Sequence, residues 1–398
     1  MKWIRTILVG LFFGGVFAVL VLLEMRRSPS AQPPVRALWV TRFDYQRAED
    51  VRRIITNVAA AGFTDVFFQI RGNGTAFYES QLEPWAYELS GGDVSRLGRN
   101  PGWDPLQLAI DTAKPHGLRV HAYLNVLPGW KGRVDPPVEA GQLWTAHPDW
   151  FMVDSLGQKM RPTKGWYTFI NPVIPEVRAH LRGIVAELCA YDVDGIHLDY
   201  IRYPYDYHLV AREHYPDAPD GELMRHADFS YDPASQAALY ARFGWDVSKA
   251  EVTRFRCESI TRVVRDASYV MQQAKPGKCL LTASVLGNPA EGKRHAYQDS
   301  GLWVRTGLVD WAVQMNYGTQ SFDRYLKAIK KAAGRAGFET SVVVGINCKN
   351  DRADLLSQIQ KAERSGSRGY ALFSYSFLFD ETHVRTKKGR AVLEAMQP

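Results

Sequence analysis

Cysteine is scarce in this chain, and its placement is uninformative in a useful way. Cys189, Cys257, Cys279 and Cys348 are scattered through 398 residues. No CxxC pair or Cys/His spacing is present, which excludes a structural zinc centre. Three of the four fall inside apolar or helical patterns, where a buried free thiol is the ordinary state, and no spacing selects a disulfide pair. Charge of one sign is also modest. The formal net charge is +7, but Lys2, Arg5, Arg26 and Arg27 against Glu24 carry +3 of it ahead of the folded part. No Lys/Arg cluster interleaved with aromatics follows, so nucleic acid is excluded as a partner. Low-complexity sequence is absent beyond residue 34, and the remainder reads as one domain.

Long hydrophobic runs are absent except for one. Ile7 to Leu23, after Lys2 and Arg5, has a length where secretory signal cores and membrane spans overlap. Ser28-Pro29-Ser30-Ala31 is a poor cleavage site because proline holds the −3 position, and no cysteine follows to take a lipid. Residues 1–27 are therefore expected to be an uncleaved signal anchor, placing the rest outside the cytoplasm at the inner membrane or cell envelope. A cleaved signal and a secreted protein is the alternative. Residues 28–34 (SPSAQPP) form a linker, and 35–398 the folded domain.

What is abundant is alternation. Short apolar runs fall at 37–43, 65–71, 119–126, 195–200, 279–286, 310–316, 341–346 and 369–375. Helical patterns lie between them at 48–61, 104–116, 175–191, 248–275, 321–336 and 351–366, with a last one at 386–396. Asp104-Pro105 is an N-cap acid followed by a first-turn proline. Gly117, Gly334, Gly337 and Gly366 fall where helices should stop. Eight such units predict an α/β fold of the TIM-type (β/α)8 class. An open doubly wound sheet would expect a Gly-rich turn after the first strand, and TRFDYQRAED at 41–50 has no glycine. Two insertions, 71–101 and 204–247, follow strands and so belong at the C-terminal mouth of the barrel, where such folds keep their chemistry.

The segment YDVDGIHLDYIRYP at 191–204 puts charge into a buried strand. His197 and Asp199 share one face of it, and Ile196 and Leu198 the other. The apolar pair suits the barrel–helix interface. His197 and Asp199 then point inward, with Asp199 nearer the mouth and Asp194 structural at the opposite end. The bland reading of Asp199 is a buried acid paired with Arg202 or Arg42. Other strand ends add polar groups: Arg42 and Asp44; Gln69, Arg71 and Asn73; His121, Tyr123 and Asn125; Gln314, Asn316 and Tyr317; Asn347; Tyr375. Together with His197 and Arg202 they are candidates for binding a polar substrate around one acid. Trp85, Trp103, Trp130, Trp144, Trp150 and Trp166 lie in loops, where flat faces stack on sugars or simply anchor the loop. The HxD of 197–199 lacks the companion ligands a metal would need, so no metal and no cofactor is expected.

Several stretches, in order and spacing, resemble the glycosyl hydrolase-like 10 family. They are RALWVTRFD at 36–44, DVFFQIRGNGTAFYES at 65–80, EPW at 83–85 and WDPLQLAIDTAKPHGLRVHAYLNV at 103–126. NPVIPEVRAHLRGIVAEL at 171–188, DVDGIHLDYIRYP at 192–204 and VDWAVQMNYG at 309–318 complete the set. The resemblance implies a carbohydrate-active barrel related to the amylase-type glycosidases and linked to bacterial envelope glycans. It implies that Asp199 is the nucleophile or base and that the proton donor ends a later strand, where Glu291 is the candidate and Asp44 the substitute. The chain departs from many members at Tyr200, where others carry a second Asp, and at GNGTAFY, where others place an acid. Both departures thin the supply of carboxylates.

Glycoside hydrolysis needs two carboxyl groups, one to protonate the leaving oxygen and one to meet the oxocarbenium ion or activate water. The expected function is hydrolysis of an extracytoplasmic polysaccharide such as peptidoglycan glycan strands. A barrel of the same fold that binds glycan without turnover, as an envelope tether or recruiter, is the alternative.

Overall fold

The computed structural model describes residues 33–396, so the expected anchor, residues 1–27, lies outside the described residues. Among these no helix is long and apolar enough to cross a membrane. The strands are β1 (Val35–Val40), β2 (Asp65–Arg71), β3 (Arg119–Asn125), β4 (Pro128–Lys131), β5 (Tyr167–Phe169), β6 (Gly195–Asp199), β7 (Leu280–Leu286), β8 (Trp311–Met315), β9 (Val342–Asn347) and β10 (Gly369–Phe373). All but β4 and β5 close into one barrel in the order β1-β10-β9-β8-β7-β6-β3-β2, and neighbours in it pair in parallel. Each of the eight apolar runs is one of these barrel strands.

Helices follow the strands and cover them. The Ala48–Ala60 helix buries Val51, Ile54, Ile55 and Val58 at helical spacing. The Pro105–Ala113 helix starts as its sequence predicts, with the Asp104 carboxylate accepting from Gln107 N at 2.9 Å and proline in the first turn. The Lys249–Ala274 helix opens on a reciprocal capping box between Ser248 and Glu251, an arrangement that satisfies two otherwise orphaned backbone donors.

The strand faces divide as the alternation demands. Leu38, Val66, Phe68, Val120, Leu124, Ile196 and Leu198 belong to the large core beneath the helices. Ala37, Trp39, Phe67, Tyr123, Trp311, Val313, Val343 and Ala371 form a second cluster inside the barrel. Ile196 and Leu198 are almost completely buried, and each is worth about 1.5–3 kcal/mol of apolar burial. A one-residue slip of β6 would forfeit both and throw Asp199 outward. Packing thus fixes the direction of the acid.

The bottom of the barrel is closed by an ion pair. Asp65, first in β2, meets His121 Nε2 at 2.8 Å and Arg119 at 2.8 Å. Gly195 is required beside it, because a Cβ there would lie 2.1 Å from His121 Nδ1.

A third insertion accompanies the two expected from sequence. Between β3 and the Pro175–Ala190 helix, β4 and β5 form an antiparallel two-stranded sheet. Trp130 in β4 is fully buried, and the Gln142 amide ties Gly129 to Asn73 by donating to both carbonyls.

Candidate active site

Asp199 ends β6 on the inner face, paired in register with Asn125 of β3. Three donors converge on its carboxylate. The Tyr123 hydroxyl reaches Oδ2 at 2.9 Å, while the Tyr200 backbone N–H and the Arg202 guanidinium reach Oδ1 at 2.6 and 3.0 Å. Burial and the neighbouring Asp199 charge push Tyr123 well above the usual phenol range, so it remains a neutral donor. Tyr200 adopts φ +48°, a left-handed conformation that costs a non-glycine residue about 1–3 kcal/mol. The Arg202 guanidinium lies 4.1 Å from the Tyr200 ring centroid. Both sequence readings of Asp199 therefore meet in one place, since the acid paired with Arg202 is also the acid at the mouth.

A wall of aromatic residues rises beside it. Tyr167 of β5 and Tyr200 meet edge to face at 5.3 Å, and Trp166 meets Tyr200 at 6.2 Å. The Trp166 indole N–H is buried without a hydrogen-bond partner among the described residues. Arg42 fastens this hairpin to the barrel, donating to the Tyr167 hydroxyl at 3.1 Å and to Glu88 at 3.4 Å. Its own backbone N–H donates to Gln69 Oε1, and the Gln69 amide donates to Asn125 Oδ1 at 3.1 Å. Gln69 and Asn125 are thus the joints that hold the β1 and β2 loops against the strand carrying Tyr123.

The other candidates divide by location. Tyr317 lies at the mouth, stacked on Phe373 at 5.8 Å, and burial with the Asp199 charge raises its pKa well above the usual range. His197 sits one layer below Asp199. Trp39 Nε1 donates to its Nε2 at 3.1 Å and its Nδ1 faces Thr282 at 2.8 Å. Since Nε2 accepts, Nδ1 carries the proton, and burial holds the imidazole well below its ordinary pKa. His121 belongs to the closed bottom with Asp65. Arg71 is fully buried against Glu83, with its remaining donors on the Asn125 and Val126 carbonyls; nothing is left to offer a ligand. Gln314 and Asn316 face away from the interior side chain of Val313, donating to Gly287 and Tyr325 carbonyls and to the Phe322 carbonyl. The Tyr375 hydroxyl accepts from Asn57 and faces His383, on the helix side of the barrel.

The two expected proton donors differ sharply. Glu291 is half-exposed on a short helix after β7, paired with Arg294 at 2.5 Å and His295 at 3.2 Å. Asp44 accepts two bonds from Thr41 and shares a recess with Tyr375, Ser376 and His383; burial raises its pKa. Among the described residues neither shares a hydrogen-bond partner with Asp199. Tyr167 and the hairpin bearing it had no place in the sequence reading. The available signal was Trp166-Tyr167, one residue pair within a loop already marked by tryptophan.

Comparison with known proteins fits this geometry. The Bordetella bronchiseptica PgaB (BpsB) glycoside hydrolase domain superposes with a TM-score of 0.58 over 92% of this chain and 99% of its own, at 13% identity. The catalytic domain of Paenibacillus polymyxa beta-amylase gives 0.59 over 92% and 99%, at 9% identity. Such identities speak for the fold alone. In sequence, the glycosyl hydrolase DigH of Escherichia coli is 26% identical over 327 residues, 71% of this chain and 65% of that protein. Glycosyl hydrolase YngK of Bacillus subtilis is 24% identical over 295 residues, 70% of this chain and 50% of its own length. The chain thus spans between half and two thirds of these relatives. The family model named Glycosyl hydrolase-like 10 matches residues 34–355, and the chain belongs to that family.

Proposed function

We propose that the protein is a glycoside hydrolase acting on an extracytoplasmic polysaccharide, with peptidoglycan glycan strands as the first substrate to test. The observation that carries this is Asp199 itself. A carboxylate at the C-terminal end of a barrel strand, held by three donors beside Tyr167, Trp166 and Tyr200, suits an anomeric carbon that becomes cationic. Family membership and the glycosyl hydrolase names of DigH and YngK support the reading. Asp199 acts either by bonding to the anomeric carbon or by taking a proton from the attacking water, the choice depending on its separation from the acid partner. Arg202 and Tyr123 fix its orientation, and Trp166 offers a flat face for a sugar ring.

The decisive experiment compares wild type and Asp199→Asn on peptide-free peptidoglycan strands and a panel of polysaccharides. The amide preserves shape and removes charge, so folding and glycan binding persist while turnover falls by about two to four powers of ten. If wild type binds glycan with no turnover beyond that of the variant, the protein is a binding barrel. The engagement of Glu291 with Arg294 and His295 favours that second reading.

The Ile7–Leu23 run and the flanking Lys2 and Arg5 support an inner-membrane anchor with the barrel outside the cytoplasm.

A further inference from the structure

Two recesses of about 610 and 430 Å³ lie on the flank of the barrel and share Arg242, Glu258 and Arg262, so they form one groove. The Lys249–Ala274 helix supplies a wall of it. Arg254, Glu258, Arg262 and Arg265 recur there at helical spacing, over roughly 16 Å at 1.5 Å per residue. With Arg178, Arg242 and Lys293, the lining holds six cationic side chains against two carboxylates, Glu258 and Asp299. Both carboxylates are already taken, Glu258 by Arg242 at 2.8 Å and Asp299 by Lys293 at 2.6 Å. Arg254, Arg262 and Arg265 are exposed, and among the described residues none of them has an ion pair or a side-chain hydrogen bond. Arg178 is nearly as bare. Its Nε is buried with no partner among the described residues, and its Nη1 stands 3.7 Å from Asp266, which Arg182 approaches to 3.4 Å. Burial and the charges of Arg262 and Arg182 lower the Arg178 pKa against the pull of Asp266. A recess lined by one sign of charge concentrates the field and draws in a counter-ion.

We propose that this groove is a second carbohydrate-binding site, one that holds a carboxylate-bearing stretch of the polysaccharide whose neighbouring sugars occupy the mouth. Guanidinium forks match carboxylates in shape as well as charge. An elongated recess admits a chain, whereas a flat lipid surface does not enter it. Trp245 follows Arg242 by three residues, is 85% exposed and stacks on Tyr240 at 4.7 Å. Its remaining face is open to a sugar ring. The groove also adjoins the mouth through the backbone. Lys293 belongs to the Gly292–Ala296 segment, whose Ala296 carbonyl accepts the Tyr203 N–H at 3.1 Å, one residue past Arg202. The Gln298 amide donates to the Ile201 carbonyl at 3.1 Å. One short stretch of chain therefore separates the arginines from the segment that holds Asp199.

This assignment rests on the reading of the protein as one that acts on polysaccharide, and deepens it by giving the substrate a charge. Peptide-free peptidoglycan strands meet the description, because removal of the peptides leaves a free carboxylate on alternate sugars. The arginines raise the local concentration of such a strand and hold it beside the mouth, without touching the reacting bond.

The test is calorimetric titration of the full chain carrying Asp199→Asn, so that no ligand is cleaved, with and without Arg262→Gln and Arg265→Gln. The probes are peptide-free peptidoglycan strands and the same strands with their carboxylates reduced to alcohols. Loss of the two arginines should weaken binding of the acidic strands by about tenfold or more, the effect of losing one charge-assisted hydrogen bond. Reduced strands should bind both proteins alike, and added salt should erase the difference on acidic strands. Both arginines are exposed, so the melting temperature should not move. Trp245→Ala should weaken acidic and reduced strands equally, since stacking does not need the carboxylate, and no change on either overturns the carbohydrate assignment. Equal affinity of the two arginine forms for acidic strands, an equal loss on acidic and reduced strands, or no binding of acidic strands at all overturns the inference. A difference confined to vesicles of anionic phospholipid overturns it as well and makes the groove a membrane contact. Turnover by the chain with Asp199 intact is read separately. Cleavage of strands without an arginine effect on binding keeps the glycosidase reading and removes the groove. Arginine-dependent binding without cleavage keeps the groove and sinks the glycosidase reading.

Discussion

The Tyr123 hydroxyl donates to Asp199 Oδ2 at 2.9 Å although Tyr123 is in register with His197, one step lower in the barrel. The phenol is long enough to span that step, so one strand supplies the acid and its neighbour steadies it from beneath. Tyr123→Phe keeps the ring and removes the donor. A hydrogen bond to a charged group is worth about 1.5–3 kcal/mol, so kcat should fall by roughly ten- to a hundredfold. An unchanged kcat beside an unchanged melting temperature would show that the bond is decorative.

Trp166 carries a buried indole N–H with no partner among the described residues, beside the Tyr167–Tyr200 pair. Trp166→Ala should weaken glycan binding by roughly tenfold, about 1.4 kcal/mol, with little change in folding. Calorimetric titration with glycan fragments measures it. A fall in thermal stability with unaltered affinity would assign Trp166 to packing.

Gly72 lets the Arg42 side chain pass. A Cβ there would lie 2.6 Å from Arg42 Nε, and Arg42 has no room to retreat at 2% exposure. Gly72→Ala should therefore release Arg42 from Tyr167 and loosen the hairpin, at a cost of about 1–3 kcal/mol. Limited proteolysis should cut within residues 132–166 sooner than in wild type. Identical digestion patterns would mean that the hairpin is held by other contacts.

The Arg71–Glu83–His180 cluster predicts acid lability. Burial alone would raise the Glu83 pKa, but the Arg71 charge and the His180 bond outweigh it and bring the carboxyl down to about 2. Its contribution is fully present above the unfolded glutamate value near 4.3. It is lost as pH falls from there toward about 2, and is on the order of 3 kcal/mol. Glu83→Gln should flatten the dependence of melting temperature on pH in that window and lower stability at neutral pH, because Arg71 is then buried without its charge partner. An unaltered acid limb would mean that other carboxylates dominate.

The barrel was legible because each of its strands is an apolar run long enough to declare a period, and because Ile196 and Leu198 fix which way His197 and Asp199 face. The β4–β5 sheet was not. Pro128 and Gly129 break any alternation, the strands are short, and their partners are far apart in sequence. Polar residues at strand ends find partners within the fold in a consistent manner. Gln314 satisfies the loop carbonyl of Gly287 and Asn316 that of Phe322, which opens a helix, and Arg71 satisfies the carbonyls at and just after the end of β3. A strand end needs such donors whether or not a ligand is bound.

The neutral imidazole of His197, bonded to Trp39 and stacked on Phe67 at 4.1 Å, has a consequence for the proton economy of the barrel. Asp65 begins β2 at one end and Asp199 ends β6 at the other, and the layer between them is aromatic and uncharged. It holds no charged side chain, only a neutral imidazole whose two nitrogens face Thr282 and Trp39. Loss of the Asp65 carboxylate would therefore be read in the melting curve, through the ion pair with Arg119 that it breaks.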